Sequence, residues 1–259
     1  MHAVVLAGGI PGPEDPLFEA AGGRPKSLID IAGRPMAQWV VDALDGSTSV
    51  DGLIVVGLGP QAGLRARKPV AYLEDQGGLM DNALAGIRRV GEIDPASPYA
   101  LIASVDIPGI TAEMVDWRVR VSQEAQADFD YIAVERSVME KRYPGSNRSY
   151  IKIRGLELCG GDLNVARTSL AARRDLWAKL VASRKSAFKQ AALFGFDLLL
   201  LLLTRQLTIP VAERLTSRRL GLKTRVHLSP YAELAMDVDK PHQLAIVRED
   251  LGAPRGKSF

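Results

Sequence analysis

Short apolar runs alternate with helically spaced apolar residues through the first 130 residues. The run Tyr99–Val105 is apolar nearly throughout, which predicts a central strand buried on both faces. Alternation of this kind is typical of a parallel sheet covered by helices. The pattern predicts strands over His2–Leu6, Gly52–Gly57, Val70–Leu73 and Tyr99–Val105, and helices over Pro35–Leu44, over Asp81–Val90 and after Thr111.

The pattern changes after Asp130. It predicts strands over Tyr131–Glu135, Tyr150–Leu158 and Thr224–Leu228, a polar loop over Lys141–Ser149, and helices from Val165 to about Leu220. Because no repeat or low-complexity linker separates the two halves, we predict one domain over residues 1–259. Its halves are 1–130 and 131–259, and the second half carries a helical insertion at about 165–220.

The most apolar segment is Gln190–Thr204, which contains six consecutive leucines directly before Thr204. A membrane-spanning helix needs about 20 mostly apolar residues, whereas this segment is shorter and contains Asp197. It therefore predicts a buried or half-buried helix and no transmembrane segment. A surface for a membrane, a lipid-like acceptor or a partner stays open as the alternative.

Composition narrows the class of protein. With 259 residues and 47% hydrophobic residues, the chain can bury a large core, which excludes disorder. The net charge of +3 comes from mixed cations and acids, so we predict no nucleic-acid partner. Cys159 is the single cysteine, and the first residues run into a strand without a signal-peptide pattern. We therefore predict a cytoplasmic protein, and a homo-oligomer stays open.

A diglycine follows the first predicted strand, in the sequence Leu6-Ala7-Gly8-Gly9. Glycines let backbone N–H groups approach a phosphate closely, and ligands favour this edge of a parallel sheet. A plain tight turn is the alternative. The spacing matches neither the dinucleotide-binding motif nor the P-loop motif.

The residues that follow carry a family resemblance. The loop ends in Arg24-Pro25-Lys26-Ser27-Leu28, and Ile31-Ala32-Gly33-Arg34-Pro35-Met36 comes next. Together with LAGG, this resembles the nucleotidyltransferases of the MobA-like and sugar-1-phosphate type. The resemblance implies a three-layer α/β/α, Rossmann-related and GT-A-like fold, with a mixed, mainly parallel sheet and a helical C-terminal portion.

The resemblance also implies a reaction. Such enzymes transfer a nucleoside monophosphate from an NTP to a phosphorylated acceptor and release pyrophosphate. The acceptor is a sugar-1-phosphate, a polyol phosphate or a molybdopterin-like compound. The half 1–130 would bind the nucleotide, and the half 131–259 the acceptor. Leu6, Ala7, Gly8 and Gly9 would hold the nucleotide, Lys26 would neutralise phosphate charge, and Gln76, Gly77, Gly78 and Asn82 would hold the base.

Carboxylates at the predicted sheet edge suggest a Mg²⁺ cofactor. Asp106 directly follows the central strand, and the resemblance makes it a metal ligand, with capping of the next turn as the alternative. Asp237 and Asp239 lie two apart and point to opposite faces of an extended chain. Only one of them therefore reaches a metal shared with Asp106. We choose Asp239, because it directly precedes the Lys240-Pro241 helix start, and keep Asp237 as the second candidate. Helix capping is the other role for Asp239.

The resemblance implies that Gly161, Asp162 and Asn164 bind the acceptor. Of the basic pair Arg184-Lys185, we predict that Lys185 binds the acceptor phosphate. A solvated surface pair is the alternative for Lys185. The chain also departs from the family pattern, which has an arginine soon after the diglycine. Here Glu14 and Asp15 occupy the loop, and the first arginine is Arg24. Either Arg24 serves as a substitute catalytic cation, or the activity is weakened or changed.

Two rival functions stay open. The acidic loop favours a non-catalytic nucleotide-binding or regulatory protein of the same fold. The Asp237-Val238-Asp239 sequence matches the metal motif of a GT-A glycosyltransferase that uses a nucleotide-sugar, but it lies close to the C-terminus.

Overall fold

A nine-stranded sheet lies at the centre of the fold. The structure is a computed structural model that describes residues 1–173, 175–177 and 195–253. Within these residues the sheet order is β5-β4-β1-β6-β10-β7-β9-β8, and β11 pairs with β7. The strands are β1 (His2–Leu6), β2 (Asp30–Ile31), β3 (Arg34–Pro35), β4 (Gly52–Val56), β5 (Val70–Leu73), β6 (Tyr99–Ser104), β7 (Phe129–Glu135), β8 (Ile151–Ile153), β9 (Leu156–Gly160), β10 (Leu163–Arg167) and β11 (Thr224–Ser229). The strands β2 and β3 form a separate hairpin.

Helices cover both faces of the sheet. They are α1 (Phe18–Ala21), α2 (Met36–Gly46), α3 (Leu79–Ile93), α4 (Ala112–Ala125), α5 (Arg136–Arg142), α6 (Phe196–Leu203), α7 (Ile209–Leu220) and α8 (Pro241–Gly252). One core cluster joins the sheet to α2 and α4, and another joins its opposite face to α3. The predicted mainly parallel sheet between two helical layers is therefore confirmed.

Strand β1 shows why these layers form. Its side chains alternate, so Ala3 and Val5 pack in the cluster of α2 and α4, while Val4 packs in the cluster of α3. A Cβ atom on Gly86 of α3 would overlap the side chain of Val4, so a glycine at this position lets the helix lie close to the sheet. Both faces of β1 are therefore buried.

The register brings the ends of the parallel strands to one edge. Leu6 at the end of β1 pairs with Val56 at the end of β4 and with Ser104 at the end of β6. The strand β5 ends beside β4, where Leu73 pairs with Val56. The loops after these four strands therefore meet on one side of the molecule.

A two-residue break between β9 and β10 brings a fifth segment to this edge. The strand β10 pairs with the start of β7 and β9 pairs with its end. Between them, the N–H of Gly161 donates to Ile132 O at 2.9 Å, and Ser104 N–H donates to Asp162 O at 3.0 Å. Asp162 therefore lies beside the end of β6.

The second half differs from the prediction in three places. The helical pattern from Val165 begins instead within strand β10, because Val165 pairs with Leu101 of the central strand β6. The single strand over Tyr150–Leu158 is instead the hairpin β8–β9, which turns at Gly155 with a φ of 77°. The predicted loop from Lys141 begins inside α5, which extends to Arg142.

The leucine-rich helix α6 is half-buried. Leu200 and Leu203 are 62% and 72% exposed, and none of the residues Phe196–Leu203 is fully buried. Residues 190–194 of the predicted helix lie outside the described residues. Among the helices that the structure describes, none has the length and apolarity to cross a membrane.

Asp116 of α4 fixes the turn that follows α2. Its carboxylate accepts hydrogen bonds from the Ser47 hydroxyl at 2.6 Å, the Ser49 amide at 2.9 Å and the Thr48 hydroxyl at 3.1 Å. Burial opposes its ionisation, but these hydrogen bonds outweigh that effect and lower the pKa of Asp116 to about 2.

We expect Asp116→Ala to lower the free energy of unfolding by about 1–2 kcal/mol at pH 7, because it removes charge-assisted hydrogen bonds to this turn. Urea denaturation measures the change. The control is Glu124→Ala, which removes an exposed carboxylate from the same helix. Equal stability of the two variants would contradict this role of Asp116.

Candidate functional site

The glycine loop after β1 packs against the loops after β4 and β5. Gly57 has a φ of 94°, and a Cβ atom there would overlap the Cα of Gly8. A Cβ atom on Gly8 would in turn overlap the carboxylate of Asp75. Glycine is therefore required at Gly57, where the clash is with backbone, while a side chain at Gly8 would displace the Asp75 carboxylate.

Asp75 joins the glycine loop to the predicted base-binding loop. Its carboxylate accepts from Gly9 N–H at 3.0 Å, from Gly77 N–H at 2.8 Å and from Asn82 Nδ2 at 3.1 Å. The hydrogen bonds from Gly77 and Asn82 are the main reason that the pKa of Asp75 lies below its usual value. Asp75 is not among the residues predicted from the sequence, although an acid directly after a predicted parallel strand is a signal for this edge of the sheet.

The predicted base-binding residues lie beside Asp75. Asn82 is 5% exposed, and its Oδ1 accepts from Gln76 N–H at 2.7 Å while its Nδ2 donates to Asp75. The Asn82 amide therefore holds the loop in place, while Gln76 and Gly77 are exposed and Gly78 is half-buried.

Lys26 connects the glycine loop to two carboxylates. Its Nζ donates to Asp106 Oδ2 at 3.2 Å and to Asp239 Oδ1 at 2.6 Å, and its backbone N–H donates to Gly9 O at 3.2 Å. The side chains of Lys26 and Asp106 are each 20% exposed. Burial opposes the charge of Lys26, but Asp106 and Asp239 outweigh it and raise the pKa of the ammonium.

Capping of the following turn was the alternative role predicted for Asp106, and helix capping was the alternative for Asp239. The part of the chain that the structure describes shows neither role. The Oδ1 of Asp106 is buried without a hydrogen-bond partner among the described residues. The N-cap of α8 is Lys240 and has no side-chain capping bond. The Asp239 carboxylate turns to Lys26 instead, while its backbone N–H donates to Gln243 Oε1 at 3.0 Å.

Asp237 faces a different cation. Its carboxylate forms an ion pair with the guanidinium of Arg148, and both side chains are nearly buried. Burial and a hydrogen bond to Asp239 raise the pKa of Asp237 to about 7. The same bond and Lys26 lower the pKa of Asp239. The two carboxylates thus have different cationic partners but lie close enough to hydrogen-bond each other, so they do not point to opposite faces as expected for an extended chain. The sequence analysis did not single out Arg148.

The predicted acceptor residues divide into two groups. Burial, and then the charge of Asp106, raise the pKa of Asp162 to about 8, so its carboxyl lies among the acids of the site. Asn164 instead supports the chain break, since its Oδ1 accepts from Ile132 N–H at 3.0 Å and its Nδ2 donates to Gly161 O at 3.1 Å. Lys185 lies outside the described residues.

The structure gives a local role to one of the two acids in the loop after the diglycine. Asp15 Oδ1 accepts from Leu17 N–H at 2.8 Å, and Leu17 is fully buried in the core. Asp15 therefore anchors the loop through Leu17. Glu14 and Arg24 are exposed, and the structure records no ion pair for Arg24 with any described residue.

Charged side chains cluster in this site, but the described residues do not form a complete set of metal ligands. Within the described part of the chain, no group of three or more His, Cys, Asp or Glu side chains is arranged to hold a metal ion. Asp106 and Asp239 are bridged by the Lys26 ammonium. The unpartnered Oδ1 of Asp106 fits a hard cation, because Mg²⁺ prefers carboxylate oxygens.

Comparison with known proteins identifies the family of the chain. Residues 3–195 match the MobA-like NTP transferase domain. A hypothetical transferase from Thermus thermophilus is 32% identical with a TM-score of 0.79, covering 94% of this chain and 100% of that one. No curated protein sequence matches the chain.

Two more distant structures share the fold. A CMP:2-keto-3-deoxy-manno-octonic acid synthetase solved with CTP has 14% identity and a TM-score of 0.59, covering 97% of this chain and 98% of that one. A 4-diphosphocytidyl-2C-methyl-D-erythritol synthase from Anaerococcus prevotii has 12% identity and a TM-score of 0.60, with the same coverage. The expected α/β nucleotidyltransferase fold is confirmed.

We expect Asp162→Asn to stabilise the protein at alkaline pH in buffer without divalent cations. Because folding raises the pKa of Asp162 to about 8, its contribution to stability is present at low pH and lost as the pH rises through about 8. The variant should match wild type near pH 4 and exceed it by more than about 1 kcal/mol at pH 9. Urea denaturation at both pH values measures this.

Glu124→Gln is the control, since it removes one exposed carboxylate far along the chain from the acidic cluster. A stability difference between wild type and Asp162→Asn that stays constant from pH 4 to pH 9 would show that the Asp162 carboxyl titrates normally.

Proposed function

Since the chain belongs to the MobA-like NTP transferase domain family, a family of nucleotidyltransferases, we propose that it transfers a nucleoside monophosphate from an NTP to a phosphorylated small acceptor with the help of Mg²⁺. The observation that carries this proposal is the position of Lys26. Its backbone is bonded to Gly9 of the glycine loop, and its ammonium lies between Asp106 and Asp239. One residue thus joins the predicted phosphate site to the predicted metal site.

The proposed reaction is a direct displacement. An oxygen of the acceptor phosphate attacks the α-phosphorus of the NTP, the bond from that phosphorus to the bridging oxygen breaks, and pyrophosphate leaves. The attacking oxygen is already ionised, so no general base and no covalent enzyme intermediate are needed. Positioning and charge neutralisation supply catalysis. Lys26 donates to phosphate oxygens as charge builds, the backbone from Leu6 to Gly9 holds the nucleotide, and exposed Arg24 reaches the triphosphate.

Asp106 and Asp239 would hold Mg²⁺ in this proposal. The ion would supply charge neutralisation on the pyrophosphate leaving group. The unpartnered Oδ1 of Asp106 supports this role, and the pairing of Asp237 with Arg148 supports the choice of Asp239 as the second ligand. Asp237 remains the alternative ligand.

The nucleotide also changes the position of Asp75. The Gly9 N–H donates to the Asp75 carboxylate at 3.0 Å. A phosphate oxygen, or an acceptor atom of the base, that binds this N–H must therefore displace the Asp75 carboxylate. Asp75 would then be free to accept from N–H groups of the nucleotide, because a carboxylate only accepts hydrogen bonds. Asp75 is thus part of the proposed nucleotide site.

The site disfavours the two rival functions. Asp237 is ion-paired with Arg148 and Asp239 with Lys26, which disfavours their joint use as the metal motif of a glycosyltransferase. The use of Asp15 to anchor Leu17 weakens the case for a non-catalytic protein that rested on the acidic loop. The single domain over 1–259 and the cytoplasmic location remain our predictions.

Pyrophosphate release tests the proposed function. We expect the protein, incubated with each NTP, Mg²⁺ and a panel of phosphorylated acceptors, to release pyrophosphate with at least one pair. Lys26→Met and Asp106→Ala should each lower the rate by about 100-fold or more, because each removes charge stabilisation at the reacting phosphates. Lys141→Met removes an exposed lysine away from the strand ends and serves as the matched control.

Calorimetry with NTP analogues measures nucleotide binding separately from catalysis. Tight analogue binding without pyrophosphate release from any acceptor would support the regulatory alternative. Full activity in Lys26→Met would show that the site at this sheet edge does not carry the reaction.

Metal binding without nucleotide gives a further prediction. Because the Lys26 ammonium occupies both carboxylates, it competes with a metal ion for them. Lys26→Met leaves Asp106 and Asp239 without a counter-charge, and a divalent cation then relieves their repulsion. We expect Lys26→Met to bind Mn²⁺ about tenfold more tightly than wild type, measured by electron paramagnetic resonance.

Asp106→Asn combined with Lys26→Met should lose this gain, because one of the two carboxylates is gone. Equal or weaker Mn²⁺ binding in Lys26→Met than in wild type would place the metal elsewhere.

A further inference from the structure

We propose that the cavity beside Arg148 binds the acceptor, and that the acceptor is a small polyhydroxylated phosphate, a sugar or polyol phosphate, and not a planar pterin. The inference rests on the proposed nucleotidyl transfer and names the substrate class of the same site. The cavity has a volume of about 250 Å³ and extends from Asp239 past Asp237 to Arg148. It therefore adjoins the proposed metal ligand directly.

The loop that carries Arg148 is fixed onto helix α8. The carbonyl oxygen of buried Ser146 accepts from His242 Nε2 at 3.0 Å and from Gln243 Nε2 at 3.4 Å. Gln243 Oε1 also accepts from the Asp239 N–H. One side chain thus bonds both the Arg148 loop and the segment with the metal ligand, so the cavity is pre-formed, which reduces the entropy cost of binding.

The lining of the cavity indicates a hydroxyl-rich ligand. Every lining residue is polar: Asn147, Arg148, Ser149, Asp237, Asp239, Lys240 and Gln243. Binding sites for small molecules and cofactors are mostly apolar and span about 300–1,000 Å³. Among the described residues, the lining of this cavity has no apolar or aromatic side chain to stack on a pterin ring, and the cavity is smaller than that range. A small sugar or polyol matches both properties.

Arg148 and Asp237 provide complementary groups for hydroxyls. Arg148 has five N–H donors, and its buried Nε–H has no hydrogen-bond partner within the described chain. Its guanidinium is ion-paired with Asp237. A hydroxyl group bound against this pair would accept from the Arg148 guanidinium and donate to the Asp237 carboxylate. Asp237, which the sequence predicts as a second candidate metal ligand, would then bind a hydroxyl group of the acceptor.

Calorimetry with three probes tests the proposal. The probes are D-glucose 1-phosphate, glycerol 3-phosphate and 6-hydroxymethylpterin phosphate, each added to the full chain with Mg²⁺ and a non-hydrolysable NTP analogue. We expect a sugar or polyol phosphate to bind and the pterin phosphate to bind at least about tenfold more weakly. Comparing glucose with glycerol phosphate then distinguishes a cyclic from an acyclic acceptor.

Variants link this binding to the cavity. Arg148→Met should weaken binding of the best probe by about tenfold or more, because a charged donor is lost, and Arg148→Lys should restore part of it. Arg154→Met changes an exposed arginine in the β8–β9 turn and should change nothing. If Arg148→Met does not fold, Ser149→Leu narrows the cavity from an exposed position and should weaken the same probe.

Four outcomes would overturn the proposal. With the unmodified chain, these are a pterin phosphate that binds best and binding of none of the three probes. With the folded Arg148→Met and Ser149→Leu variants, they are unchanged probe affinity and a loss of NTP-analogue affinity equal to the loss of probe affinity, either of which would place the acceptor elsewhere. Pyrophosphate release is scored separately, so probe binding without turnover overturns nucleotidyl transfer and leaves the cavity assignment supported.

Discussion

The ion pairs of Lys26 are the interaction on which this site depends. The ammonium lies within 3.2 Å of Asp106 and 2.6 Å of Asp239, although these residues are separated from it by 80 and 213 positions in sequence. A partly buried charge is tolerated only when a counter-charge accompanies it. The two carboxylates therefore keep Lys26 charged, and Lys26 offsets their mutual repulsion. The glycine loop, the central strand and the C-terminal segment meet at this one cation.

A shared hydrophobic cluster holds these distant segments in place. Leu17 from the glycine-rich loop, Met36 from the start of α2, and Val238 and Leu244 from the C-terminal segment are all buried in it. The N–H of Val238 also donates to Asp106 O at 2.8 Å. The loop that would bind the triphosphate and the segment that would bind metal are thus stabilised by the same core. Changes in that core should affect both functions together.

The acids of the site are divided by their neighbours. Burial opposes the ionisation of Asp239, but a hydrogen bond with Asp237 and the charge of Lys26 lower its pKa. Burial raises the pKa of Asp237 against the effect of Arg148, and burial together with the charge of Asp106 raises the pKa of Asp162. This division assigns different chemistry to similar residues. The low-pKa carboxylate suits a metal ion, and the Arg148–Asp237 pair suits hydroxyl groups.

The sequence by itself determined the strands and helices of the first half of the fold and the sheet edge where the candidate site lies. Apolar strands followed by Gly8-Gly9 and by Asp106 specify that edge, because parallel strands end together. The sequence did not reveal strand β10, whose Val165 is set by pairing with β6, or the roles of Asp75 and Arg148. Only the tertiary structure decided which acid meets which cation. Such pairing depends on distances of a few ångströms between residues far apart in sequence, and those distances are set by packing of the whole core.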